Sequence, residues 1–204
     1  MTTDNNGLSA ITVSASGIIN KPMILSPMLV NFVAFQAGWF ACVLGGAYQL
    51  PWLGTLLVSV IIALHLSRAS LPRTELLLIL IAIAIGSVWD SFLVWRGWLE
   101  YPSGTLIPNT APHWILAMWG VFATTLNLSL RWLKGRWLIA SLTGAIAGPL
   151  AYYAGARLGG VIFTDSAIAL IALSLGWAVL MPLLVMLSQR LDGFPNLVTA
   201  RSVT

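Results

Sequence analysis

Six apolar stretches, at roughly 27–47, 50–67, 75–95, 112–133, 136–156 and 165–188, divide almost the whole chain between them. Each approaches the length of about 20 apolar residues that carries a helix across a bilayer. A helix closes its own backbone hydrogen bonds in hydrocarbon, where an open strand edge or a lipid-exposed loop leaves polar groups unpaired. The expected fold class is therefore all-α, a polytopic transmembrane bundle of six helices. The joints carry suitable breakers: Gly45-Gly46 before Pro51, Pro72 after Arg68, a loop with Pro102, Pro108 and Pro112, then Lys134-Gly135-Arg136, and Gly159-Gly160. Thr164 or Asp165 is placed to cap the last helix. Composition agrees: 58% of the 204 residues are hydrophobic and 8% charged, and mean hydropathy is +0.90, too little polar material to solvate a globular surface of that size.

The apolar segments define a membrane domain over 27–190, between a polar flexible cytoplasmic tail at 1–26, with a short interfacial turn at Ile18–Leu25, and a cytoplasmic C-terminal tail at 191–204. The first residues lack the basic start and short apolar core of a secretory signal. Alternate connections collect charge unequally. The N-terminal tail, the second and fourth connections and the C-terminal segment hold eight of the ten basic residues, leaving Arg96 and Arg157 on the opposite side. The positive-inside rule then gives an N-in/C-in, multi-pass protein of a bacterial inner (cytoplasmic) membrane. Trp52, Trp95, Trp98 and Trp114 fall at the expected outer interface and Trp132 and Trp137 at the inner one, while Trp39, Trp89, Trp119 and Trp177 lie deeper.

The net charge of +4 comes from basic residues scattered singly, so no cluster exists to neutralise a run of phosphates and nucleic acid is excluded as a partner. Cys42 is the only cysteine, which removes intramolecular disulfides and thiolate metal clusters. His65 and His113 belong at opposite ends of the bundle and cannot share a metal. No H-E-x-x-H motif, histidine box, phosphate-binding loop or intramembrane lysine occurs. Tyr101-Pro102-Ser103-Gly104-Thr105 matches only part of a lipid-phosphatase motif, with threonine where the histidine belongs. No catalytic residue, cofactor or metal site is expected.

Asp90 is the one acid expected well inside a span. An ionisable group there is costly, so it is paired, hydrated or used. With Gly86, Ser87 and Ser91 it forms a small, polar stripe that should face protein. Counted from Glu75 at the expected membrane edge, it lies about 22 Å along the helix, in the outer third. Arg96, His113 and Arg157 are at similar height, which leaves two alternatives, a buried ion pair to Arg157 or Arg96 and a solvent-reachable functional acid. Asn127 of the fourth segment and Asn31 of the first share the inner third, where an interhelical amide contact is expected. Gln36 lies near mid-membrane. The candidate polar pocket is thus Asp90, Ser91, Arg96, His113, Arg157, Gln36 and Asn127. Gly144, Gly148, Ala151, Gly155 and Gly159 make a close-packing stripe on the fifth helix, and Pro149 and Pro182 should kink the last two.

Several local strings occur together in order: Asn31-Phe32, Phe35-Gln36-Ala37-Gly38-Trp39-Phe40-Ala41-Cys42, Trp89-Asp90-Ser91, Pro112-His113-Trp114-Ile115, Phe122-Ala123-Thr124-Thr125-Leu126-Asn127 and Gly148-Pro149-Leu150-Ala151-Tyr152. Over roughly 27–190 the chain resembles the domain-of-unknown-function family DUF2878, small integral membrane proteins of proteobacteria. The resemblance implies no activity, cofactor or catalytic residue. Its implied genomic setting, beside fatty-acid-modifying methyltransferases and flavin oxidases, points to membrane-lipid physiology. The expected function is an accessory factor in membrane-lipid or envelope physiology, more a partner than an enzyme, with membrane lipids and a lipid-modifying enzyme as partners. The alternative is a small-molecule or proton-coupled transporter using Asp90.

Overall fold

The computed structural model describes residues 26–195; the interfacial turn expected at Ile18–Leu25 and most of both tails lie outside them. Six helices follow the apolar stretches: α1 Pro27–Ala47, α2 Pro51–Leu66, α3 Pro72–Trp95, α4 His113–Leu126, α5 Trp137–Arg157 and α6 Ser166–Arg190. Proline opens α1, α2 and α3, where its missing N–H costs nothing. Ser26 caps α1 by accepting the Leu29 N–H at 3.2 Å, and Asp165 caps α6 by accepting that of Ile168 at 3.1 Å. Four helices, α1, α3, α5 and α6, are long and apolar enough to cross a membrane. The other two are shorter, with 16 residues in α2 and 14 in α4.

The short α4 is the hub. It packs against α1, α2, α3 and α6, while α5 lies mainly along α6, and most of its residues are buried. It ends at Leu126 rather than near 133, because Asn127, Ser129 and a 3-10 turn at Arg131–Leu133 are drawn into contacts with other elements. Large apolar side chains such as Leu56, Val60, Val88, Leu142, Ile171 and Val179 form the exposed perimeter, the arrangement for a protein whose solvent is hydrocarbon. The small residues of α5 serve α6: a Cβ on Gly148 would overlap the Trp177 indole, and one on Gly144 would meet the Trp177 carbonyl.

At one end of the bundle, Leu99–Glu100 (β1) pairs antiparallel with Ile162–Phe163 (β2), tying the α3–α4 and α5–α6 connections together. This two-residue ladder has no sequence signature. Trp114, placed among the interfacial tryptophans by its position, is instead fully buried there, its indole N–H donating to the Ser103 carbonyl at 3.0 Å. The opposite end carries Arg68, Arg73, Arg131, Lys134, Arg136 and Arg190 and is called the basic end.

Candidate functional site

The polar residues gather in two centres at opposite ends of α3. Glu75, Ile79, Ala82, Gly86 and Asp90 all lie on the buried face of that helix, spaced by threes and fours as one stripe requires. Both acids are fully buried.

At the far end from the basic one, Asp90 accepts three hydrogen bonds from three different elements. Tyr152 of α5 donates its hydroxyl to Oδ1 at 2.6 Å, and Tyr101 of the α3–α4 loop donates to the same oxygen at 2.8 Å. The Trp119 indole of α4 donates to Oδ2 at 2.6 Å. Gly86 permits this approach, since a Cβ there would fall inside the Trp119 ring. Trp119 in turn stacks on Trp177 of α6 at 4.9 Å and 6°. Burial and the adjacent Asp90 carboxyl hold the Tyr101 phenol well above its ordinary value, so it stays a donor. The centre fastens α3, α4, α5 and the loop with neutral donors.

That geometry is neither of the two alternatives, since Asp90 is fully buried rather than solvent-reachable and is not ion-paired with any described residue. Neither candidate arginine reaches Asp90: Arg96 lies over the Trp95 and Trp98 rings at 5.9 and 5.1 Å, and Arg157 is exposed. Both arginines stay on the exposed rim, where a cation keeps its water, and three uncharged donors satisfy the Asp90 carboxyl without burying a cation. Ser91 accepts the Ala111 N–H at 3.1 Å, holding the loop rather than Asp90. His113 is hydrogen-bonded through Nδ1 to Thr55 Oγ1 at 2.8 Å and stacked on Trp52 at 3.9 Å. Gln36 is half-buried on α1 and makes no side-chain hydrogen bond with a described residue. The seven candidates therefore do not form one pocket.

Asn127 belongs to the second centre, at the basic end. Glu75 Oε1 is hydrogen-bonded to His65 Nε2 at 2.8 Å; Oε2 accepts from Asn127 Nδ2 at 2.7 Å and from the Gly193 N–H at 3.0 Å. Asn127 Oδ1 accepts from Lys134 Nζ at 2.6 Å. Asp192 takes Arg131 on one oxygen at 2.7 Å and Lys134 on the other at 3.0 Å. The expected Asn31–Asn127 contact is absent, because each amide has stronger obligations: Asn31 donates to Thr124 and accepts from Ser129 at 2.7 Å. Residues 191–194, placed by sequence in the C-terminal tail, are docked as a strap over Glu75, with Leu71 N–H also donating to the Gly193 carbonyl at 3.0 Å.

Burial would raise the Asp192 carboxyl, but the Phe194 N–H, Lys134 and Arg131 together hold it below its ordinary value. A carboxyl lowered by folding adds stability that is complete above about pH 3.9, the ordinary aspartate value, and is lost as pH falls through its lower folded value. The thermal midpoint of the wild type is expected to drop through that acid window, and that of Asp192→Asn to drop less. Equal drops in melting curves across the pH series would show that the strap's ion pairs add nothing.

Beside this centre lies a cavity of about 380 Å³. Val30 and Ala34 of α1, Ile61 and Leu64 of α2, Leu128 and Phe194 give it apolar walls, and Asn31, His65 and Arg68 are its polar lining. Phe194, from the strap, packs on the His65 ring at 5.0 Å. With Nε2 held by Glu75, the nitrogen of His65 left for an occupant is Nδ1, which has no hydrogen-bond partner among the described residues. The Arg68 guanidinium likewise enters no ion pair with a described residue. No group of three or more His, Cys, Asp or Glu side chains that could hold a metal gathers among the described residues.

The sequence profile of the protein-of-unknown-function family DUF2878 matches residues 28–183. The chain belongs to the DUF2878 family. The matched region holds the Asp90 centre and Glu75, His65 and Asn127, while the Asp192 strap lies beyond it. No curated protein and no solved structure matches the chain.

Proposed function

We propose that this protein is an accessory factor in membrane-lipid physiology that holds an amphiphile in the cavity at its basic end. The single observation that carries this reading is the cavity itself. Its volume of about 380 Å³ lies within the roughly 300–1,000 Å³ of small-molecule sites. Its walls are apolar and its polar groups few, the division an acyl chain and a head group require. Val30 and Leu64, on its rim, are exposed on the lipid-facing perimeter, so an acyl chain can reach it laterally. The excess of Lys and Arg favours placing this end at the cytoplasmic face of a bacterial inner membrane. Among the described residues no nucleophile paired with a base lines the cavity, which supports a holding role beside a lipid-modifying enzyme.

Proton-coupled transport through Asp90 is the second reading, motivated by a buried acid without a cation among the described residues. It requires Tyr101 and Tyr152 to leave the carboxylate together. Native mass spectrometry of protein released from membranes tests the first reading. The wild type is expected to retain one lipid that Ala34→Trp, which fills the cavity from α1, loses. Equal retention by both would contradict it.

A further inference from the structure

From the His65 and Arg68 geometry we infer that the cavity takes a single-chain amphiphile with a carboxylic acid head, and that His65 receives its proton. The inference rests on the lipid-binding reading and assigns the chemistry of the head group. Glu75 as an acceptor places the hydrogen on His65 Nε2, 2.8 Å away, and an imidazole in its neutral form then presents Nδ1 as a lone pair. Glu75 is itself fixed by Asn127 and the Gly193 N–H, which locks this tautomer. Arg68, just past the end of α2 and lining the same cavity, carries a positive charge with no ion-pair partner among the described residues.

A protonated fatty acid arriving from the bilayer transfers its O–H proton to Nδ1. The products are a carboxylate between the imidazolium and Arg68, and an imidazolium still donating Nε2–H to Glu75. Charges then stand as two opposed pairs, and no net charge has entered the membrane. The other charged groups near His65 lie behind Glu75: Lys134, Asp192 and Arg131 already satisfy one another, and α1 presents only the neutral Asn31, whose amide is engaged with Thr124 and Ser129. A phosphate monoester carries about −1.5 to −2 charge and would leave an excess that Arg68 alone does not balance. This charge count selects the carboxylate.

The test is binding of ¹³C-carboxyl oleate to the full-length protein in nanodiscs, with oleyl alcohol and lysophosphatidate as comparison probes. Saturable binding of one oleate is expected, with a carboxyl resonance of the ionised form, and binding of the other two about tenfold weaker or less. Arg68→Gln, at an exposed position with no ion-pair partner among the described residues, should keep the fold and bind oleate about tenfold more weakly. His65→Gln should bind oleate with its carboxyl resonance moved toward the protonated form. Oleyl alcohol or lysophosphatidate binding as tightly as oleate, or an unchanged Arg68→Gln, would overturn the assignment. If the wild type retains a membrane lipid but not oleate, the head-group assignment falls and the cavity reading stands; if it retains neither, both fall.

Discussion

Replacing Glu75 by alanine is expected to destabilise the protein by about 2–6 kcal/mol, the cost of leaving two buried donors without an acceptor. The side chain is fully buried and accepts from His65, Asn127 and the Gly193 N–H. Asn127 keeps a bond to the Leu191 carbonyl at 2.9 Å, but the His65 Nε2 and Gly193 donors lose their acceptor, each at about 1–3 kcal/mol. The strap would lose its anchor on α3 at Gly193 N–H, keeping the Leu71 N–H to Gly193 carbonyl bond and the Asp192 ion pairs. Equilibrium unfolding in mixed micelles provides the measurement, with Asp192→Ala as reference. That variant breaks two partly exposed ion pairs and should cost about 1 kcal/mol. If Glu75→Ala costs no more than Asp192→Ala, the buried centre is not what closes this end.

The second large effect belongs to Asp90. Asp90→Leu strands two tyrosine hydroxyls and an indole N–H that converge on the carboxylate, and three orphaned donors at about 1–3 kcal/mol each imply a loss of at least 3 kcal/mol. Asp90→Asn keeps one carbonyl acceptor on Cγ but turns the other oxygen into a donor aimed at a donor, so about half that loss is expected. Near-UV circular dichroism should register the change through Trp119 and its stacking partner Trp177. Lipid retention should survive in Asp90→Asn, because the cavity lies at the other end of the bundle. A variant folded as stably as wild type but unable to retain lipid would invert the roles of the two centres.

The fold was most legible in the sequence where one local property dominated. Hydropathy set the six helices, and proline marked the starts of α1, α2 and α3 because it is cheap only there. Hydropathy misplaced the end of α4 because Asn127 and Ser129 take their partners from α3 and α1, a tertiary demand that it does not carry. Asp90 was visible as a buried acid, but its partners were not. Charge pairing points to arginine, whereas the structure uses Tyr101, Tyr152 and Trp119 from three other elements. Glu75 looked like a membrane-edge residue beside Arg73, and its cover is a glycine 118 positions away. One signal did exist. Carried back through Gly86, Ala82 and Ile79, the Asp90 stripe arrives at Glu75 after about four helical turns, so the face that buries one acid buries the other.

The proposed site is tested most directly by photolabelling the protein in membranes with a diazirine-bearing fatty acid and mapping the modified residues. Adducts are expected to concentrate on Val30 and Ala34 of α1 and Ile61 and Leu64 of α2, which line the cavity, and to disappear with excess oleate. Labelling spread evenly over lipid-facing positions such as Leu142, Ile146 and Ile171, and indifferent to oleate, would contradict a binding site at the basic end.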